Sequence, residues 1–239
     1  MNVVIDHGNS RSKIGIFDQH VQKEELVFNN ADLLKNFLQN FSGDNLIIST
    51  VSQEAATLVS WAKNFSNAYV LSPSLLVPVT NNYATPHTLG MDRLAAICGA
   101  WAMFPGQNSL VIDAGTCLTY DIIDNNGVYH GGGISPGLNM RFRAVHEFTA
   151  RLPLVERSEN APLIGNSTET CIQSGVENGI VEEVNGIIER YSVQFTDLKI
   201  ILCGGDTAFF EKRLKRSIFA GPNLVLRGLN SILLHNVNR

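Results

Sequence analysis

The clearest chemical signals in this chain are two Asp-x-Gly turns, each following a short apolar run. The first is Val4-Ile5-Asp6-His7-Gly8, continued by Asn9, Ser10, Arg11, Ser12 and Lys13. The second is Val111-Ile112-Asp113-Ala114-Gly115, continued by Thr116. A strand that ends in Asp and turns through Gly aims backbone N–H groups at an anion, while the carboxylate holds a metal ion or its water. Either turn alone reads equally well as a tight hairpin of turn-forming residues. Lys13 shifts the first toward a phosphate, which it can meet as a point charge.

Two more segments add chemistry. In Tyr83-Ala84-Thr85-Pro86-His87-Thr88-Leu89-Gly90-Met91-Asp92-Arg93, Asp92 and Arg93 fall at the start of a helix expected over Asp92 to Ala102. An Asp there is favoured by the helix dipole, so capping is its ordinary reading. Arg93 in the same turn is unfavourable for the helix and makes more sense as the holder of an anionic substrate. Gly131 to Gly137 is expected to form a glycine-rich loop ahead of a helix from Leu138 to Leu152, letting backbone approach a nucleotide; the alternative is a connector. That run also matches G-x-S-x-G, with Ser135 as a hydrolase nucleophile and Asp206 and His235 downstream. Pro136 excludes it, because the oxyanion hole needs the backbone N–H that proline lacks. The six histidines show no HExxH or other metal spacing, and no Walker A, kinase HRD set or Rossmann GxGxxG is present.

The elements that must position these residues follow an α/β pattern. Strands are expected at Val3 to Ile5, Ser12 to Phe17, Val21 to Phe28, Leu46 to Ser49 and Tyr69 to Leu71. Helices are expected at Ala31 to Phe41 and Gln53 to Phe65, and a helical pattern runs from Glu169 to Tyr191. The strand, Asp-x-Gly turn, strand and closing Asp of the first segment (Lys13 to Asp18) recur in the second (Thr119 to Asp124). Such a repeat implies a duplicated domain, divided into residues 1–107 and 108–239 near Pro105 to Asn108. Two facing turns would grip one polyphosphate from both sides, as in the actin, Hsp70 and sugar-kinase superfamily. The expected fold is therefore α/β with duplicated actin-like (ribonuclease H-like) domains and a nucleotide cleft between them.

Composition narrows the partners. Lys and Arg number 18 against 22 Asp and Glu, and the one basic cluster, Lys212, Arg213, Lys215 and Arg216, reads as the solvated face of a late helix, which argues against nucleic acid. Cys98, Cys117, Cys171 and Cys203 form no CxxC pair and sit in apolar contexts, as buried free thiols of a reducing compartment would. Asp6 interrupts the first apolar run before a signal peptide could form. The uncharged part of Leu94 to Ile112 is broken at Pro105 to Ser109 into helix, turn and strand, so no membrane span is expected. A cytoplasmic protein is the expectation.

Taken together, Asp6-x-Gly8-Asn9-Ser10-x-x-Lys13, Thr85-Pro86-x-Thr88-Leu89-Gly90-x-Asp92-Arg93, Asp113-Ala114-Gly115-Thr116 and Gly132-Gly133-Ile134-x-Pro136-Gly137 closely resemble the type III pantothenate kinases. Asn166-Ser167-Thr168 before Ile172-Gln173-Ser174-Gly175, then Gly204-Gly205-Asp206, then Leu224 to Leu229 extend the resemblance over nearly the whole chain. It implies a homodimeric kinase that makes 4'-phosphopantothenate from pantothenate and ATP for coenzyme A, with magnesium and a monovalent cation, potassium or ammonium. By position it implies that Asp6, His7, Gly8, Asn9, Ser10, Arg11, Ser12, Lys13 and Thr116 bind ATP. Tyr83, Gly90, Met91, Asp92, Arg93 and Thr168 would hold pantothenate, with Asp92 the proton acceptor and Asp113 the ligand of the monovalent cation. The family has Thr where this chain has Ser10, which keeps the hydroxyl. The rivals are a regulatory protein that kept the fold without catalysis, and a sugar kinase or polyphosphate phosphatase.

Overall fold

The computed structural model describes residues 1–8, 11–50 and 55–237. They form two compact units: residues 1–106 with 125–130 and the chain's end from Asn223, and residues 107–124 with 131–222. In chain order the first stretch holds β1 (Asn2–His7), β2 (Ser12–Asp18), β3 (Val21–Phe28), α1 (Ala31–Asn40), β4 (Gly43–Thr50), α2 (Ala55–Trp61), β5 (Phe65–Val70), β6 (Thr80–Asn81), a 3-10 turn at Pro86–Thr88 and α3 (Met91–Met103). Then come β7 (Ser109–Ala114), β8 (Cys117–Ile123), β9 (Val128–Pro136), α4 (Leu138–Glu147), α5 (Thr168–Gln173), a π turn at Ser174–Asn178, α6 (Gly179–Gln194), β10 (Lys199–Cys203), α7 (Thr207–Glu211), β11 (Phe219–Ala220) and α8 (Leu224–Val237).

The first unit's sheet has the order β3-β2-β1-β4-β5, with β1 antiparallel to β2 and parallel to β4. Val3, Val4 and Ile5 are wholly buried, as are Leu46, Ile47 and Ile48 of β4. Such unbroken apolar runs belong to strands covered on both faces. Register is pinned by a chain of side-chain amides running the same way across the sheet. Asn67 donates to Asn45 (2.9 Å), Asn45 to Asn2 (2.9 Å), Asn2 to Asn230 of α8 (3.2 Å), and Asn230 to the Gln19 carbonyl (2.8 Å). Asn2, Asn45 and Asn67 are register partners, so a slip of one residue would strand these amides on the wrong face.

Helix α8 lies against this sheet, and beside it stands α3, in which every residue from Leu94 to Ala100 is buried. It packs against α8 through glycine on both sides. A Cβ at Gly228 would stand 1.7 Å from the Ala95 carbonyl oxygen, and one at Gly99 would stand 2.4 Å from that of Leu224. This backbone-to-backbone approach ties the final helix to the first unit, where a linear division at residue 107 would put it in the second. It also fixes where the first turn of α3 points.

The second unit repeats the plan. Its sheet runs β11-β10-β7-β8-β9, with β7 antiparallel to β8 and parallel to β10. The core joins Leu110 and Ile112 of β7 to Ile180, Val184 and Ile188 of α6. In both units the first strand is central, its hairpin partner lies to one side and a parallel strand to the other. The two Asp-x-Gly turns therefore occupy equivalent strand ends. Val128 and Tyr129, at the start of β9, belong to the first unit and pair with β6.

Several expectations are corrected. Gly131 to Pro136 is strand, not loop: a Cβ at Gly132 would meet the Tyr120 carbonyl oxygen at 1.7 Å, so the glycines serve close strand contact. Helix α2 stops at Trp61, and Phe65 opens β5, whose polar Ser66 and Asn67 hide its strand character; Gln53 lies outside the described residues. Helix α4 stops at Glu147, ahead of Leu152-Pro153, which disfavours helix. The basic cluster does not line a helix face: Lys212 caps α7, and Lys215 and Arg216 lie beyond it, paired with Glu182 and Glu189. All four cysteines are free, but only Cys98 and Cys203 are buried; Cys117 is half-buried and Cys171 exposed. Among the described residues no helix is long and apolar enough to cross a membrane.

Candidate active site

Strand β1 delivers Asp6 to its C-terminal end, where the hairpin register sets it opposite Lys13 and sets His7 opposite Ser12. Residues directly opposite in an antiparallel pair project to the same side. His7 Nδ1 and Ser12 Oγ are hydrogen-bonded at 2.7 Å, and Gly8 N–H donates to the Arg11 carbonyl at 3.0 Å, closing the turn. Asn9 and Ser10 lie outside the described residues.

The Asp6 carboxyl is pushed up to about 6, first by burial and then by the negative charge of Asp92; Lys13 and Arg11 oppose the rise. Residues 86 positions apart in sequence thus share one electrostatic environment. The helix cap is Gly90, not Asp92, and it makes no side-chain cap bond. Asp92 is exposed in the first turn, and its Oδ1 accepts from the Arg93 N–H at 2.8 Å. A Cβ at residue 90 would stand 2.6 Å from that oxygen, so glycine leaves Asp92 its space. The Arg93 guanidinium lies 5.7 Å from the centre of the Tyr83 ring, which stacks in turn on Tyr129 at 6.1 Å with 9° between ring planes. A cation over an aromatic face is attracted by its quadrupole. Tyr129, wholly buried, is a support that sequence reasoning missed. Its only trace is an aromatic just before the glycine run.

In the second unit Asp113 is the penultimate residue of β7 and Thr116 sits exposed in the following turn, which Gly115 closes by donating to the Cys117 carbonyl at 3.0 Å. Two other glycine segments press on this turn. A Cβ at Gly137 would lie 2.4 Å from the Gly115 oxygen and 2.5 Å from that of Thr116. At Gly204, which has φ +96°, a Cβ would lie 2.4 Å from both the Ala114 oxygen and Asp113 Oδ1. Asp206 N–H donates to the Ala114 carbonyl at 2.9 Å. Burial raises the Asp206 carboxyl, an effect countered by Arg157 at 3.6 Å. Arg157 also lines a cavity of about 580 Å³, together with Ser158, Asn160, Ala208, Phe209 and Lys212. Asp206 and this cavity were not among the expected site residues, although the Gly204-Gly205-Asp206 run marked the place.

The structure therefore brings Asp6, Lys13, Asp92, Arg93, Tyr83, Gly90 and Met91 together in the first unit, and Asp113 and Thr116 on one turn of the second. Thr168 is on neither turn. It is the exposed first residue of α5, behind the Ser167 cap and its box with Thr170.

A family model described as type III pantothenate kinase matches residues 2–190. A type III pantothenate kinase from Christiangramia forsetii is 45% identical over 246 residues, which cover 99% of each chain. Among solved structures, a Campylobacter jejuni protein named as a Baf family transcriptional activator superposes with TM-score 0.65 at 24% identity, over 99% of this chain and 100% of its own. A glucokinase from an Antarctic psychrotroph superposes with TM-score 0.54 at 12% identity, over 98% of both. The architecture is the duplicated actin-like kinase fold.

The Asp6 shift has a consequence for stability. A folded-state value raised from 3.8 to about 6 means that the folded protein holds a proton which the unfolded chain has already released. Stability is thus lost as pH rises through that window, and the full penalty is present above it, at most about 3 kcal/mol. Asp6→Asn should melt at a higher temperature than the parent at pH 8 and close to it at pH 4, while losing catalytic activity. A variant no more stable at pH 8, or equally stabilised at both values, would contradict this assignment.

Proposed function

The chain belongs to the type III pantothenate kinases, and from that footing we propose how its own residues carry the reaction. The enzyme phosphorylates pantothenate with ATP in coenzyme A biosynthesis. The observation that carries the assignment of roles is the shared electrostatic environment of Asp6 and Asp92 at the end of β1.

Asp92 orients the substrate hydroxyl and accepts its proton. Phosphoryl transfer passes through a loose transition state, so the enzyme's main tasks are alignment and charge neutralisation. An Asp, ordinarily near pKa 3.9, is too weak a base to remove the proton early but can take it late. Arg93, held over Tyr83, meets the pantothenate carboxylate, with Gly90 and Met91 beside it. Lys13 and, of the described residues of the first turn, Asp6, His7, Gly8, Arg11 and Ser12 face the phosphates. Burial, and after it the charge of Asp92, already drives Asp6 toward its neutral form; a hard divalent cation relieves such a pair, so Asp6 fits magnesium, held directly or through water. Held there, magnesium would supply charge neutralisation for the phosphates.

In the second unit the nucleotide's phosphates are assigned to the turn from Asp113 to Thr116, and its base to the adjoining cavity beside Arg157 and Phe209. Asp113 would hold the monovalent cation, with backbone carbonyls as the remaining oxygen donors. Leu163 and Ile164, 82% and 84% exposed shortly before Thr168, fit a surface that a second copy covers in a homodimer.

Asp92→Asn should lower kcat by about a hundredfold or more with ATP binding little changed. Its melting temperature should stay near the parent's, since the loss of a first-turn charge costs at most about 1 kcal/mol. Near-normal turnover in that folded variant removes Asp92 from the chemistry. Activity should be higher in potassium than in sodium at equal ionic strength, and Asp113→Ala should lose the difference; equal parent rates in the two salts overturn the cation assignment. A monomeric mass by light scattering at micromolar concentration would do the same for the dimer.

A further inference from the structure

The second unit contains an ion-paired network built from residues that have no role in the chemistry above. We propose that Glu183, acting through Arg141, is a positioning residue for the nucleotide's phosphates. The inference rests on the assignment of the Asp113 to Thr116 turn to the nucleotide.

Glu183, half-buried on α6, accepts from Tyr120 Oη at 3.0 Å and from Arg141 Nη2. The same Nη2 donates to Ser135 Oγ at 2.9 Å, and Arg141 Nε donates to the Pro136 carbonyl at 2.9 Å. One guanidinium thus grips the last two residues of β9 while it is held from behind by a carboxylate of another helix. The fork geometry matters, because a lysine has one nitrogen and cannot reach these acceptors from a fixed plane.

The residue after Pro136 is Gly137, whose α-carbon lies so close to the turn that an added Cβ would overlap the Gly115 and Thr116 carbonyl oxygens. Interiors packed this tightly do not absorb displacement, so a shift at the end of β9 is passed to the turn. Glu183 to Arg141 to Pro136 to Gly137 is therefore a continuous path of contacts ending on the backbone that faces the phosphates.

The electrostatics agree. Burial pulls the Glu183 carboxyl upward, yet hydrogen bonds from Arg141, Ser135 and Tyr120 and the guanidinium's charge outweigh it and leave the group below its ordinary value. The Tyr120 hydroxyl is pushed up by burial and by Glu183, so it stays a donor. Losing a cross-link kept for stability alone would weaken the fold without favouring one substrate. A positioning device acts on the substrate whose turn it holds.

The test is steady-state kinetics on the intact protein, varying ATP and pantothenate separately, with melting temperatures, for Glu183→Gln, Arg141→Lys and, in parallel, Asp113→Asn. Glu183→Gln and Arg141→Lys should each raise KM for ATP about tenfold, with KM for pantothenate changed less than about twofold. Activity falling only in step with lost folded protein, or both KM values rising together, overturns the proposal. Should those variants fail to fold, Ser135→Ala removes a single contact of the clamp, and an unchanged KM for ATP there overturns it equally. An Asp113→Asn variant with normal KM for ATP overturns the nucleotide assignment and this inference with it. A sensitive Asp113→Asn beside an insensitive Glu183→Gln overturns the positioning role alone.

Discussion

The negative charge of Asp92 reaches a half-buried Asp6 at the end of β1, and burial together with that charge drives Asp6 toward its neutral form. Left alone, such a pair would be relieved by moving apart. It persists because each member is fixed by packing that the other cannot disturb. Asp6 lies near the end of a strand whose apolar residues are wholly buried and whose register is held by the asparagine chain from Asn67 to Asn230. Asp92 opens a helix locked against α8 by glycine contacts at Gly99 and Gly228. The electrostatic cost is thus borne by the sheet and the helix pair, and in the proposed function the arrangement is set for a cation and phosphates before either arrives.

Pre-organisation of this kind is what phosphoryl transfer asks of a protein, since there is little covalent chemistry to supply. In the proposed function the second unit would meet the demand with backbone in place of opposed carboxylates: Gly137 and Gly204 both close on the Asp113 turn, and Arg141, paired with Glu183, holds the strand end that leads to the first of them. The same topology, used twice, sets an Asp-x-Gly turn at the same strand end and surrounds it differently each time.

Much of this was legible in the sequence. The duplicated turns could be read because each is a local pattern of apolar strand, Asp and Gly, and the family could be read because its motifs are short and contiguous. What escaped depends on distant partners. Gly131 to Pro136 reads as loose chain, since a glycine needed for close strand contact looks identical to one needed for freedom. Tyr129 supports Tyr83 across 46 positions of chain, and Glu183 meets Arg141 across 42. Nothing local marks those pairs. Gly228 likewise gives no sign in sequence that α8 belongs to the first unit.

The most direct test of the account is an NMR titration of the Asp6 carboxyl carbon in the ligand-free protein and in Asp92→Asn. With both carboxylates present Asp6 should titrate near 6, well above the ordinary 3.8, and it should titrate lower once the charge at position 92 is removed. An Asp6 that titrates at its ordinary value in the parent, or whose value does not respond to Asp92→Asn, would mean that the two carboxylates do not share a site.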